Sequence, residues 1–283
     1  MAAGGNTENS GAINVTGAQG GSVQLLSDQN VSVTGNVDAS GSHGGGSIRV
    51  GGGYQGGEGL QAAAVTYVGP GARLNADALQ SGDGGSVVLW SNTATGFKGN
   101  ISARGGAAGG NGGMAEVSSR GYLAFDGSAD LRAPHGAWGT LLLDPNDITI
   151  SDDPNANPAT LDGFDASGVF TPGDATAAST INTGTIVAQL DSSDVSIKTT
   201  DGNITVVNGF TYAGDNDRTL TLDAFGTLTF KDGAIIKSTG GTGGTHTLGG
   251  VLTGTNGVVL EGGSSFITNG GDLAISGRTF LLD

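Results

Sequence analysis

Carboxylates supply the first candidates for chemistry. Asp144, Asp147, Asp152 and Asp153 fall within ten residues, and Asp215 and Asp217 lie two apart, so either group can offer hard oxygen ligands to Ca²⁺. Short Asp- and Asn-rich stretches also form Asx-turns, and that ordinary role is the stronger expectation. The calcium nonapeptide order Gly-Gly-x-Gly-x-Asp fails at Gly56-Gly57-Glu58-Gly59-Leu60-Gln61, where Gln61 stands in place of the acid. No cofactor is therefore expected, with Ca²⁺ as the alternative. His43, His135 and His246 match no metal-ligand spacing. Hydrolysis or elimination on a polysaccharide needs clustered carboxylates beside a basic residue, and no acid pair is singled out by spacing, so no catalytic residue is assigned. Tyr54, Tyr67 and Trp90, with Trp138, can present ring faces to the C–H surface of a sugar. Packing at the ends or corners of the fold is the competing role, and Tyr54, flanked by glycines, is the best placed to reach solvent. Gly44-Gly45-Gly46 has neither a following helix nor the Lys of a phosphate cradle.

The elements that position these residues follow from an unusual composition. The chain has 283 residues with 56 Gly, no Cys, 13% charged and 5% aromatic residues. Glycine shows no three-residue period and there are only 6 Pro, which excludes collagen. Hydrophobic residues reach 36% and fall in alternating runs of Val, Ile and Leu, which excludes plain disorder. So few rings cannot fill a wide core, whereas a narrow solenoid is filled by stacked aliphatic side chains. A net charge of -15 with only 11 Lys+Arg repels a phosphate backbone, so nucleic acid is not an expected partner. No run approaches the ~18 apolar residues of a membrane span. Met1-Ala2-Ala3-Gly4-Gly5 lacks the basic and apolar regions of a signal peptide, as expected of an internal piece of a longer protein.

Two repeated units carry the architecture. Glycine pairs followed by alternating apolar positions occur as Gly20-Gly21-Ser22-Val23-Gln24-Leu25, Gly45-Gly46-Ser47-Ile48-Arg49-Val50, Gly84-Gly85-Ser86-Val87-Val88-Leu89 and Gly112-Gly113-Met114-Ala115-Glu116-Val117. Their second glycines at 21, 46, 85 and 113 are 25, 39 and 28 residues apart, the range of solenoid coils. The long interval holds an insertion, Gly51 to Tyr67, expected to loop out of one coil. A second unit, with an aliphatic residue and Ala two apart, recurs at Val37-Asp38-Ala39, Leu74-Asn75-Ala76, Ile101-Ser102-Ala103 and Leu131-Arg132-Ala133. Each coil thus carries at least two strands. The glycine pairs are expected at corners that require positive φ. The expected organisation is one all-β, right-handed parallel β-helix: Gly-rich coils over 1–150, an exposed excursion over 151–180 containing Pro154, Pro158 and Pro172, and further coils over 181–283. Ile181 to Leu190 has helix-like apolar spacing, but Thr183-Gly184-Thr185 favours a strand and turn.

In this order, Ser47-Ile48-Arg49-Val50-Gly51-Gly52-Gly53-Tyr54-Gln55-Gly56, Val87-Val88-Leu89-Trp90-Ser91, Gly99-Asn100-Ile101-Ser102-Ala103-Arg104-Gly105-Gly106, Gly109-Gly110-Asn111-Gly112-Gly113 and Gly139-Thr140-Leu141-Leu142-Leu143-Asp144-Pro145-Asn146-Asp147-Ile148-Thr149-Ile150 resemble filamentous-haemagglutinin-like exoproteins of Gram-negative two-partner secretion. The resemblance covers roughly residues 20–150. It implies a β-helix, export through an outer-membrane transporter, a secreted or cell-surface location, and adhesion or biofilm cohesion. The Asn-Pro motifs of the family's secretion domain are not seen, so this piece is not expected to address the transporter itself. The expected function is an adhesin segment, non-enzymatic, whose loops Gly51 to Tyr67 and Ser151 to Ser179 contact a host-cell or biofilm glycan or protein. The alternatives are a self-associating filament or matrix unit and a β-helix polysaccharide-degrading enzyme.

Overall fold

A computed structural model describes residues 4–152 and 179–281, and the excursion expected over 151–180 lies almost wholly outside the described residues. The chain divides into two compact units that meet in sequence between Asp144 and Pro145. Both are β-solenoids built from parallel strands.

The first unit contains five coils of three strands. They are β1 (Thr7–Asn9), β2 (Ala12–Asn14) and β3 (Ser22–Leu25); β4 (Asn30–Val33), β5 (Asn36–Asp38) and β6 (Ser47–Val50); β7 (Val65–Val68), β8 (Arg73–Asn75) and β9 (Ser86–Leu89); β10 (Ala94–Phe97), β11 (Asn100–Ser102) and β12 (Met114–Ser118); and β13 (Tyr122–Phe125), β14 (Ser128–Asp130) and β15 (Thr140–Asp144). Strands of equal rank pair in register, so three parallel sheets enclose one interior. The two strand types expected from the repeats are present, and a third, β1 and its counterparts, completes each coil.

Alternation sends one side of every strand inward. Ile48, Val87, Ala115 and Leu141 stack on one wall, Val37, Leu74, Ile101 and Ala129 on a second, and Val33, Val68, Phe97 and Phe125 on the third. Each inward side chain rests on its counterpart one coil away, ~4.8 Å along the stack, so burial comes from repetition and not from bulk. The Phe97 and Phe125 rings lie with centroids 5.3 Å apart. Two buried hydroxyls of this interior are paired: that of Thr66 donates to the Trp90 carbonyl at 2.8 Å, and that of Thr95 donates to the Ser118 carbonyl at 2.7 Å.

The glycine pairs differ in their physical cause from the sequence expectation. None of Gly20, Gly21, Gly45, Gly46, Gly84, Gly85, Gly112 and Gly113 has a positive φ. Their requirement is close approach: a Cβ on Gly45 would overlap the Ala76 carbonyl oxygen, one on Gly85 that of Gly46, and one on Gly112 that of Leu131. Glycine here lets the backbone of one coil lie directly against the next.

The second unit has β16 (Ile148–Ser151), β17 (Ser179–Asn182), α1 (Thr183–Leu190), β18 (Asp194–Thr199), β19 (Ile204–Val206), β20 (Thr211–Tyr212), β21 (Arg218–Ala224), β22 (Thr227–Phe230), β23 (Ile235–Ser238), β24 (Leu248–Leu260), β25 (Ser265–Ile267) and β26 (Leu273–Leu281). Again three columns form: β18, β21 and the first half of β24; β19, β22 and its second half; and β20, β23 and β25. Helix α1 corrects the expected strand and turn. The Asn182 side chain accepts a hydrogen bond from the Gly184 N–H at 2.8 Å, capping the helix, while Ile186 and Leu190 are buried. A cap worth ~1 kcal/mol together with this burial outweighs the poor propensity of Thr183-Gly184-Thr185.

Candidate functional site

Two assemblies in the first unit bring together groups of different chemistry. The first forms where the 51–64 insertion leaves β6. The insertion ends at Ala64, because Val65–Val68 form β7, and it folds back over the outward face of its own sheet instead of standing away from it. Register places Arg49, Val88, Glu116 and Leu142 side by side on that face. Val88, Glu116 and Leu142 are nevertheless buried, as is Asp144 at the end of β15.

A single 3-10 turn at Tyr54–Gly56 closes this cover. The Gln55 N–H donates to both carboxylate oxygens of Glu116 at 3.1 Å, and Gln55 Nε2 donates to Asp144 Oδ2 at 3.2 Å. To reach them Gln55 adopts φ 49°, and Glu58 holds φ 60°. Non-glycine residues in this region cost about 1–3 kcal/mol each and persist only where contacts hold them. Glu58 is held by Arg49, whose Nε and Nη2 donate at 2.7 and 2.9 Å, and accepts from the Tyr54 N–H at 3.2 Å. The hydrogen bonds from Arg49 keep the Glu58 carboxyl below its usual range. Burial raises the Glu116 carboxyl to about 7 against the opposing Gln55 N–H, and the Asp144 charge adds to the rise. Desolvation, then the charges of Glu116 and Asp144, push the Tyr54 hydroxyl upward.

The three aromatic candidates therefore separate. Trp90 is buried, its ring packed so tightly that a Cβ on Gly52 or Gly56 would come within 2.8 or 2.7 Å of it. Tyr67 is buried with Tyr122, Ala94 and Ala124. Tyr54, 40% exposed, is the one that reaches solvent. Chemically the assembly is a clasp: Arg49–Glu58 secures one side, and Glu116 with Asp144 secures the turn. Glu58→Gln is expected to cost less than about 1 kcal/mol of global stability, since the Glu58 side chain is 38% exposed. Hydrogen exchange at the Tyr54 and Gln55 amides should nevertheless accelerate, and unchanged exchange there would show that the ion pair does not hold the turn.

The second assembly is a groove of about 460 Å³ at the corner that follows β8, β11 and β14. Three successive coils build it, contributing Leu79 from the first, Arg104 and Ala107 from the second, and Arg132, Pro134 and Trp138 from the third. Ser102 and Asp130 are register partners, and the Gly105 N–H donates to the Arg132 carbonyl at 3.0 Å, so the two arginines occupy adjacent steps. Each is paired with an acid. Arg104 Nη2 lies 3.4 Å from Asp77 Oδ2, and Arg132 donates to Asp130 through Nε at 2.8 Å and Nη2 at 2.6 Å. Burial raises the Asp130 carboxyl, but hydrogen bonds from Arg132 and the charges of Arg132 and Arg104 bring it below its ordinary value. The groove thus joins an apolar wall to two oriented guanidinium groups.

Three of the cation-ligand candidates, Asp147, Asp215 and Asp217, accept backbone hydrogen bonds from a neighbouring coil and not from the local N–H of an Asx-turn. Asp215 Oδ1 accepts from the Thr242 N–H at 2.6 Å, Asp217 Oδ1 from the Thr247 N–H at 2.9 Å, and Asp147 Oδ1 from the Asn203 N–H at 2.8 Å. These bonds tie one coil to the next. Among the described residues no three His, Asp or Glu side chains form a metal-binding group; Asp153 lies outside them. His43 Nδ1 is 3.0 Å from the Ser81 hydroxyl, and His246 Nδ1 is 3.7 Å from Asp217, so these two histidines serve separate corners.

Neither Glu116–Asp144 nor Arg104–Arg132 was singled out by spacing. The available signal was the coil register: Glu116 occupies an outward position of a strand, and Arg132 follows Arg104 after one coil length. The fold and these assemblies define a parallel β-solenoid with a clasped insertion and a corner groove. No family model matches the chain, and no match to a curated protein is found.

Proposed function

We propose that this chain is a display segment of a secreted, filamentous-haemagglutinin-like bacterial surface adhesin. In this reading the stacked coils supply reach, and corner loops contact glycans or proteins of a host cell or biofilm. The observation that carries it is the groove assembled by three consecutive coils, a recognition surface that exists only because the repeats stack. Tyr54 on the clasped insertion adds an aromatic ring beside solvent. Weak contacts repeated along a longer parent would add by avidity. Export of that parent through an outer-membrane two-partner-secretion transporter belongs to the same proposal. The reading predicts that the immobilised chain retains cells or binds members of a glycan array; no binding to either would remove it.

A second reading, self-association into a filament or matrix, is favoured by Leu273 and Ile275, each 42% exposed on β26. Exposed aliphatic side chains side by side on one strand favour association with another chain. Sedimentation of a single monomeric species from micromolar to millimolar concentration would remove this alternative. A glycan-cleaving role has less support, because Glu116 and Asp144 are buried and engaged by Gln55. Product release from acidic or neutral polysaccharides would reinstate it.

A further inference from the structure

We propose that the corner groove binds a pyranose ring bearing a single carboxylate, such as a hexuronic or nonulosonic acid residue. The inference rests on the adhesin reading and specifies its ligand class. The groove volume of about 460 Å³ suits one or two sugar rings. Its polar capacity is strongly biased toward donors. A guanidinium carries five N–H groups; Arg132 commits two to Asp130 and Arg104 commits one to Asp77. Both side chains remain about half exposed, at 50% for Arg104 and 52% for Arg132. The remaining N–H groups therefore look for an acceptor without protons of its own, and a carboxylate is the strongest such group on a saccharide. Adjacent coil steps place the two forks ~4.8 Å apart at their backbones, close enough to share one carboxylate or to divide it and a neighbouring ring oxygen.

The apolar side completes the match. Trp138, Pro134 and Leu79 line the same groove, and Leu79 is 54% exposed. An aromatic and aliphatic wall fits the C–H face of a pyranose. The charge balance limits the ligand further. Asp77 and Asp130 offset the two arginines locally, and the whole chain carries -15, so a densely charged polyanion is repelled at long range far more strongly than a single carboxylate.

Isothermal titration or ligand-observed NMR with the full chain tests this. The probes are glucuronate and galacturonate as single sugars, sialyllactose, and the corresponding neutral glucose, galactose and lactose compounds. Saturable binding to at least one acidic probe is expected, at least tenfold tighter than to its neutral counterpart. Arg132→Gln and Arg104→Gln should each weaken it about tenfold, with the circular dichroism spectrum unchanged. Preference for hexuronate or for sialyllactose identifies which carboxylated sugar is recognised. Equal binding of acidic and neutral probes, no binding of any probe, or unaltered affinity in both arginine variants overturns the proposal. Should a variant misfold, Leu79→Glu, which places a repelling carboxylate on an exposed position of the groove, must abolish binding of the acidic probes. Cell or array binding that survives Arg104→Gln/Arg132→Gln would overturn the groove assignment while leaving the adhesin reading in place; loss of all binding by the unsubstituted chain would remove both.

Discussion

Gly112→Val is expected to lower the unfolding free energy by about 3 kcal/mol or more, read as a fall in urea midpoint. The new Cβ would overlap the Leu131 carbonyl oxygen and lie 2.5 Å from the Gly139 nitrogen. Both are backbone atoms, so no rotamer change relieves the clash. The surrounding ladder resists a shift of the coil as well, because the Gly112 N–H donates to Ala137, that of Gly113 to Ala103 and that of Gly139 to Leu131, at 2.7–2.8 Å. Two controls separate close approach from φ. Gly11 has nothing within 4 Å of an added Cβ and no positive φ, so Gly11→Ala should stay within about 0.5 kcal/mol. Gly59 is equally open but holds φ +65°, so Gly59→Ala should cost about 1–2 kcal/mol from backbone strain alone. Equal effects at the three positions would disprove the close-approach account of the glycine columns.

The second large effect is a loss of stability as the solution becomes alkaline. Burial raises the Glu116 carboxyl from 4.5 to about 7 in the folded chain. Between those values the folded state holds a proton that the unfolded state has released, so the contribution is fully present below about pH 4.5 and is lost as pH rises through about 7. The rise corresponds to about 3 kcal/mol between pH 4.5 and 8. Asp194, also raised by burial, gives a slope of the same sign. Glu58, Asp130, Asp215 and Asp217 are lowered and act in the opposite sense, supporting the fold above the unfolded carboxylate range and losing that support as the solution is acidified through their folded values. Glu116→Gln isolates the one group: its amide oxygen still accepts from Gln55, so stability at pH 5 should stay within about 1 kcal/mol of the parent. At pH 8 the variant should be the more stable, by an amount approaching 3 kcal/mol. Parallel pH profiles for the two proteins would show that Glu116 ionises without cost and that the clasp is not desolvated.

Much of the solenoid is written in local pattern. Strands β3, β6, β9 and β12 follow the glycine pairs, and β5, β8 and β11 cover the Val37, Leu74 and Ile101 units, because period-two alternation and coil-length repetition are properties of short stretches. The third strand of each coil was less legible: β1 is Thr7–Asn9 and β10 is Ala94–Phe97, whose Thr and Gly give little apolar signal before stacking. Helix α1 escaped because its cap lies one residue before the stretch that discouraged it. Sequence alone therefore determined that aliphatic ribbons recur with solenoid spacing. Tertiary structure decided what faces what: that Gly112 meets a carbonyl and not a φ constraint, that Gln55 reaches Glu116 across 61 residues, and that Arg104 and Arg132 share a groove with Trp138. Unequal coil lengths of 25, 39 and 28 residues hide these alignments from any fixed spacing, and only the hydrogen-bonded register of adjacent coils brings such residues side by side.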